Sequence, residues 1–399
     1  MSKNTTSFIA CLLLIFGSSV LSYSQVSCGG SSGNNLVAMK QLAPAAGWAR
    51  SHCRLYWTSD NGQQWKDITP PMSASQTLED TVFADEIHGW TALRDSSEAA
   101  KSPFALAITK DGGATWKAHA LDTSSPPALS ASQGDGVSVE LQLVDQMHGW
   151  VFFGMGSQVS SSGILMATAD GGERWSILPP VPSAGDLVFA APSSATLVGI
   201  TGFEMWTTQD GGQNWAALSL PLPANCEQCR VLNISKVRFP APGAGFLTAI
   251  FLDPQKQSYS THSFTSADQG RTWIEDQQDT ALIATAGAQL NTVADSHQLH
   301  LSTLPRRREM LLQTKSSRQS LPIPAAIRAQ GDITDASFSS ESSGWILYET
   351  HGCSPAHPAP CPLNVSIATN LLSAAGGVLA IITPSASGAQ PTSIVHREK

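Results

Sequence analysis

Five copies of one octapeptide constrain the fold of this chain more than any other feature. They read Thr58-Ser-Asp60-Asn-Gly62-Gln-Gln-Trp65, Thr109-Lys-Asp111-Gly-Gly113-Ala-Thr-Trp116, Thr168-Ala-Asp170-Gly-Gly172-Glu-Arg-Trp175, Thr208-Gln-Asp210-Gly-Gly212-Gln-Asn-Trp215 and Ser266-Ala-Asp268-Gln-Gly270-Arg-Thr-Trp273. The shared pattern is Ser/Thr-x-Asp-x-Gly-x-x-Trp, and five copies in 399 residues make a repeat that decides the architecture. Each part of the motif has a physical reason. Asp and Ser/Thr side chains bond backbone amides a residue or two on and fold a turn locally. Glycine at the fifth position accepts a positive φ without a Cβ clash. The tryptophan re-enters a strand and buries its ring between sheets. Asp with Gly also resembles a calcium loop, but the ligand ladder of an EF-hand is missing, so the five aspartates are read as structural.

A second pattern precedes each octapeptide: an apolar strand, a turn, then Gly-Trp opening another strand. The clearest copies are Thr81–Leu93, with Asp85, His88, Gly89 and Trp90, and Leu141–Phe153, with Asp145, His148, Gly149 and Trp150. Weaker copies stand at Gly47-Trp48, Gly245-Phe246 and Gly344-Trp345, and degraded ones at 195–199 and 295–301. Together they give seven units spaced by 42, 60, 49, 47, 53 and 46 residues, in or just above the spacing of propeller blades. Each unit reads as four short strands bounded by Gly, Asp, Ser and Pro, with the octapeptide as the turn between the third and fourth. No sustained helical period is present, so the chain is read as all-β. Units six (287–325) and seven lack a good octapeptide, which leaves six blades as the alternative count.

Composition agrees. Charged residues make up only 14%, against roughly 25% in ordinary soluble chains, and 32 Gly with 24 Pro suit many turns. The net charge of −8 argues against nucleic acid as a partner. The one basic run, Arg306-Arg307-Arg308, is read as a solvated loop.

Residues 1–24 read as an export signal: Lys3, a short apolar run from Phe8 to Phe16, and small residues at Ser22 and Ser24. The run is too short to span a bilayer, and no longer one follows. A lead-in at 25–35, a propeller over 36–383 and a loose tail at 384–399 complete the expected organisation. Beyond Cys11 there are six cysteines, an even number that favours disulfides in an exported chain. Cys28 raises a rival reading, a lipid anchor, which Gln25-Val26-Ser27 fit poorly.

The octapeptides are identified as Asp boxes, also called BNR repeats. With the Asp-x-x-His-Gly-Trp units, the stretch 36–383 resembles the propeller family that includes photosystem II assembly and stability factors. Sialidases, some endoglucanases and sortilin-type receptors also carry Asp boxes. The resemblance implies a seven-bladed propeller acting as a protein-binding scaffold, without cofactor or metal.

Strand bookkeeping assigns the faces. In an up-and-down blade the first and third turns share one end, so Asp boxes and His-Gly-Trp turns lie together. The segments 95–103, 122–137, 155–163, 220–233, 253–261 and 350–362 are read as long loops at the other end, the usual place for binding residues. The cysteines fall at that end, and the layout predicts Cys226–Cys229, Cys353–Cys361 and Cys28–Cys53. A redox role for Cys226-Glu-Gln-Cys229 would need a helix N-terminus, and only the proline-rich Pro221-Leu-Pro223 precedes it. A zinc site from His351, Cys353, His357 and Cys361 has plausible spacing. The competing functional class is a glycoside hydrolase. A sialidase-like site would need converging arginines and a tyrosine nucleophile, and only Tyr56, Tyr259 and Tyr348 follow the signal. Tyr348 and Glu349 are strand neighbours that point apart. An endoglucanase-like site would need two facing carboxylates, with Asp80, Asp186 and Asp335 as candidates. His88 and His148 are read as caps of their turns against Asp85 and Asp145. A glycan partner belongs to the hydrolase reading; a protein partner belongs to the scaffold.

Overall fold

The computed structural model describes Cys28, residues 36–277 with short gaps at 44, 63, 98–101, 122–135, 157–160, 225, 236 and 242, and strands between 291 and 397. The expected Cys353–Cys361 bridge, the zinc candidates around it, the export signal and Arg306–Arg308 lie outside the described residues.

The described chain is a succession of antiparallel sheets in sequence order. The first comprises Leu36–Gln41, Gly47–Ser51, Leu55–Thr58 and Lys66–Asp67. The second comprises Gln76–Phe83, Gly89–Asp95, Phe104–Thr109 and Lys117–Ala120. The third runs from Val137–Leu143 through Gly149–Gly156 and Ser161–Thr168 to Ser176–Ile177, and the fourth from Gly185–Ala191 through Ser194–Gly199 and Met205–Thr208 to Ala216–Leu218. In the fifth, Ala244–Asp253 pairs with two short strands, Arg230–Ile234 and Arg238–Ala241, and with Ser258–Ser266, which pairs in turn with Ile274–Glu275. The sixth comprises Asn291–Ala294, His300–Leu304, Glu309–Gln313 and Arg318–Pro322. A hairpin, Gly331–Ser340 with Ser343–Thr350, and a three-stranded sheet, Val365–Thr369, Val378–Thr383 and Thr392–Arg397, follow.

The second strands of the first and fourth sheets, Gly47–Ser51 and Ser194–Gly199, are buried throughout. Each lies between two partners and packs on both faces, so it reads as a continuous apolar run rather than an alternation. The core is laid down between sheets. Trp90, Leu106, Val151 and Phe153 join the second sheet to the third, while Trp150, Leu165, Leu187 and Leu197 join the third to the fourth.

Three readings are corrected. Segments 155–163 and 253–261 are not long loops. Strand pairing runs out to Gly156↔Ser161 in one and Asp253↔Ser258 in the other. Asp253 Oδ1 closes the second turn by accepting from the amides of Gln255 and Lys256. In the segment 384–399, read as a loose tail, Thr392–Arg397 pairs with Val378–Thr383; Ile394 and Val395 give it strand character that the polar ends mask.

Candidate functional site

At one end of the sheets the five octapeptides adopt one geometry. In the second copy, Thr109 Oγ1 donates to Asp111 Oδ1 at 2.8 Å and accepts from the amides of Asp111 at 3.3 Å and Gly113 at 2.8 Å. One donor and two acceptor positions are all a hydroxyl has, which explains why only Ser or Thr opens the motif. Asp111 Oδ1 also accepts from the Thr115 amide and Oδ2 from the Thr115 hydroxyl. The same relay runs from Thr58 through Asp60, Gly62 and Gln64. It recurs from Thr168 through Asp170, Gly172 and Arg174, from Thr208 through Asp210, Gly212 and Asn214, and from Ser266 through Asp268, Gly270 and Thr272. The indole N–H of Trp65 and of Trp175 returns to the carbonyl of Gly62 and Gly172, and that of Trp116 reaches Ile68 O on the preceding sheet.

These bonds fix the charge state. Hydrogen bonds from the Asn214 side chain and amide hold the Asp210 carboxyl down at about 2, and those of Thr115 lower Asp111. Lys117 and Lys110 on the second sheet bond Glu173 on the third and hold it at about 2.

The neighbouring turns lock onto the same end. The amide of the fourth octapeptide residue donates to the turn before the neighbouring buried strand in the first five sheets: Asn61 to Ala45, Gly112 to Ile87, Gly171 to Met147, Gly211 to Ser193 and Gln269 to Gly243. Asp85 Oδ1 accepts from the amides of Ile87 and His88, and Oδ2 lies 2.8 Å from His88 Nδ1. Burial pushes the Asp85 carboxyl up, but the bonds from His88, Ile87 and Gln146 outweigh it and bring it down to about 2. His148 and Asp145 repeat this arrangement.

The opposite end is built differently. Cys28–Cys53 and Cys226–Cys229 are disulfides. The first ties the lead-in to the turn between the second and third strands of the first sheet, and its use of the Cys28 sulfur excludes a lipid thioether there. Beside it, burial and then the Arg50 charge hold the His52 imidazole below its usual range. Arg94 pairs with Glu79 at 3.0 Å, both nearly buried, and donates to Val137 O.

The second disulfide rests on the hairpin of the fifth sheet. Gln255 Nε2 bonds Gln228 Oε1, and an Asp253 oxygen lies within 4.8 Å of both sulfurs. Metal binding by this trio requires two thiolates, which the disulfide consumes. Up the same hairpin, Ser260 Oγ lies 2.8 Å from His262 Nε2, and His262 Nδ1 lies 2.7 Å from Glu275 Oε1. Sequence reasoning missed this chain; the available signal was Ser260 and His262 two apart on one strand, hence on one face.

The carboxylates weighed for glycoside cleavage, Asp80, Asp186 and Asp335, all lie on the first strand of their sheets. Asp80 is engaged in structure: its Oδ2 accepts from the Leu141 amide, and Arg50 lies 3.9 Å from Oδ1. Tyr56 lies in the third strand of the first sheet, its hydroxyl pKa raised by burial and then by Asp67. Tyr259 is exposed beside Ser260, and Tyr348 lies on the strand Ser343–Thr350.

The chain is similar to solved structures at low identity. YCF48 bound to D1 peptide shares 17% identity at a TM-score of 0.37, over 68% of this chain and 89% of that one. YCF48 from Cyanidioschyzon merolae shares 14% at 0.44, over 83% and 97%. The GH74 xyloglucanase from Xanthomonas campestris shares 12% at 0.49, over 91% and 60%. No protein-family model matches the chain, and no curated protein does. Likenesses at this level leave function open.

Proposed function

We propose that the chain is an exported seven-bladed β-propeller, running from about residue 36 through the strand Thr392–Arg397, whose loop-bearing end binds a protein partner. Closure is supported by a repeated relation between neighbours. Trp175 meets Trp90 of the preceding sheet edge-on at 5.3 Å, and Trp65 of the first sheet meets Trp345 edge-on at 5.6 Å. Gly149 abuts the Trp90 ring, and Gly47 abuts the Trp345 ring. The Leu141 amide donates to Asp80 of the preceding first strand, and the Gln41 amide donates to Ser337 Oγ. The hairpin 331–350 thus stands to the first sheet as the second stands to the third. It supplies two strands of a seventh blade, Val365–Thr369 and Val378–Thr383 complete the four, and Thr392–Arg397 adds a fifth at the edge. The two disulfides support export, since such bonds persist in oxidising compartments.

The observation that carries the binding reading is the contrast between the two ends. Turn backbones at the octapeptide end are consumed by bonds within and between the turns. The other end carries disulfide-pinned irregular chain with exposed Leu222, and exposed Tyr259 on the hairpin beside it. Amine cross-linking of the exported protein among its envelope neighbours tests it. Lys256 marks the loop end, while Lys110 and Lys117 mark the turn end, beside the half-exposed Ile87 and Met147. Partner cross-links through Lys256 are expected; partner cross-links confined to Lys110 and Lys117 would reverse the assignment of the binding face.

A further inference from the structure

We infer that Ser260, His262 and Glu275 form a nucleophile–base–carboxylate relay that cleaves carboxylic esters at the loop end of the fifth sheet. The order of contacts carries this. Ser260 and His262 share one face of the strand Ser258–Ser266, and Glu275 enters from the adjoining strand, where it pairs with Phe264. Its carboxylate takes Nδ1 of the imidazole at 2.7 Å and leaves Nε2 to Ser260 Oγ at 2.8 Å. A carboxylate only accepts, so it takes the Nδ1 proton, and in the neutral ring Nε2 is the base that faces the hydroxyl. The ring is held: Phe251 meets it edge-on at 5.4 Å, and the His262 and Glu275 side chains are 12% and 18% exposed. Ser260 itself is exposed. His88 and His148 have the carboxylate on Nδ1, but the described residues place no hydroxyl on Nε2, so the third member is peculiar to the fifth sheet.

The strand also supplies a donor for the developing oxyanion. Ser263 O accepts from the Asp276 amide, so Ser263 turns its backbone groups to the outer edge. With a period of two, Thr261 turns its N–H to the same edge. Among the described residues no strand pairs there, because pairing with Ile274–Glu275 covers only Phe264 and Thr265. The amide following the nucleophile is therefore without a strand partner among the described residues and is the backbone donor for a tetrahedral oxyanion.

The reaction balances without a cofactor. Ser260 Oγ bonds to the acyl carbon while its proton passes to His262 Nε2, and Thr261 N–H takes the oxyanion. Collapse breaks the ester C–O bond, and the leaving alkoxide takes the proton from Nε2. Water then attacks the acyl-serine, giving one proton to Nε2. The carboxylic acid leaves, and that proton returns to Oγ. An exposed nucleophile on an open strand edge fits esters of short acyl chains, including those on a larger molecule's surface. This activity does not depend on a partner docking at the same end.

The test uses the full, disulfide-intact chain with a fluorophosphonate probe and with p-nitrophenyl acetate. Peptide mapping should place the adduct on Ser260. S260A should abolish the adduct, and H262Q should slow its formation by about a thousandfold or more, with E275Q between H262Q and the unaltered protein. Ester hydrolysis should fall in the same order, with unchanged circular dichroism. S260A removes only an exposed hydroxyl and tests the site without threatening the fold. A folded, unaltered protein that forms no adduct at Ser260, or one labelled equally fast in H262Q, overturns the assignment.

Discussion

At the residue scale, the glycine at the fifth position of the second to fifth octapeptides does two jobs that a sequence pattern merges into one. Gly172 has φ +89°, and a Cβ there would stand 2.4 Å from Ile108 Cδ1 on the preceding sheet. Gly136 has φ +70° but open space around it. Gly136→Ala therefore isolates backbone strain, about 1–2 kcal/mol. Gly172→Ala adds crowding between sheets and should cost about 1–3 kcal/mol more. Urea unfolding of the two variants separates the terms; equal losses would show that the glycine serves the turn alone. The carboxylates predict an acid limit. Asp85, Asp210 and Glu173 are held at about 2, below their unfolded values near 4. Their stabilisation is complete above the unfolded value and is lost as pH falls through the folded one. The urea midpoint should be level above about pH 5 and drop between about pH 4 and 2. A protein with equal midpoints at both ends of that window would contradict the octapeptide bonding.

At the scale of elements, the two disulfides differ in what they close. Cys28–Cys53 spans 25 residues and Cys226–Cys229 spans 3. By loop entropy, C28S/C53S should lower stability by about 3–4 kcal/mol and C226S/C229S by about 2. Thermal melts of the two double variants check the order. Both pairings were legible from their placement at one end, as were the all-β class and the repeated four-stranded unit, because turn chemistry is local. What was not legible depended on register. Ser258-Tyr-Ser-Thr-His262 has the polarity of a loop, yet it pairs with Ala249–Asp253 because that buried strand provides a long template. Glu275 reaches His262 only after the octapeptide at 266–273 has folded the chain back. The broken first strand of the fifth sheet was also illegible: Ser235 Oγ takes the Thr248 amide where the pairing shifts.

At the scale of the molecule, the proposed propeller depends on its last hairpin meeting its first sheet. Trp345 is fully buried, stacks edge-on with Trp65 and donates its indole N–H to Asn61 Oδ1 at 3.0 Å. The hydrogen bond joins residues 284 apart in sequence, and the ring contact stands where the second sheet stands against the third. Closing so long a loop costs entropy, which the buried ring and its hydrogen bond offset. In the proposed closed ring the loop end is held as a rigid platform for the proposed partner. The most direct test replaces Trp345 with the photoreactive p-benzoylphenylalanine and maps the intramolecular cross-link after irradiation. The closed propeller predicts an adduct within the segment containing Asn61 and Trp65; adducts confined to residues 291–397, with none in the first sheet, would contradict it.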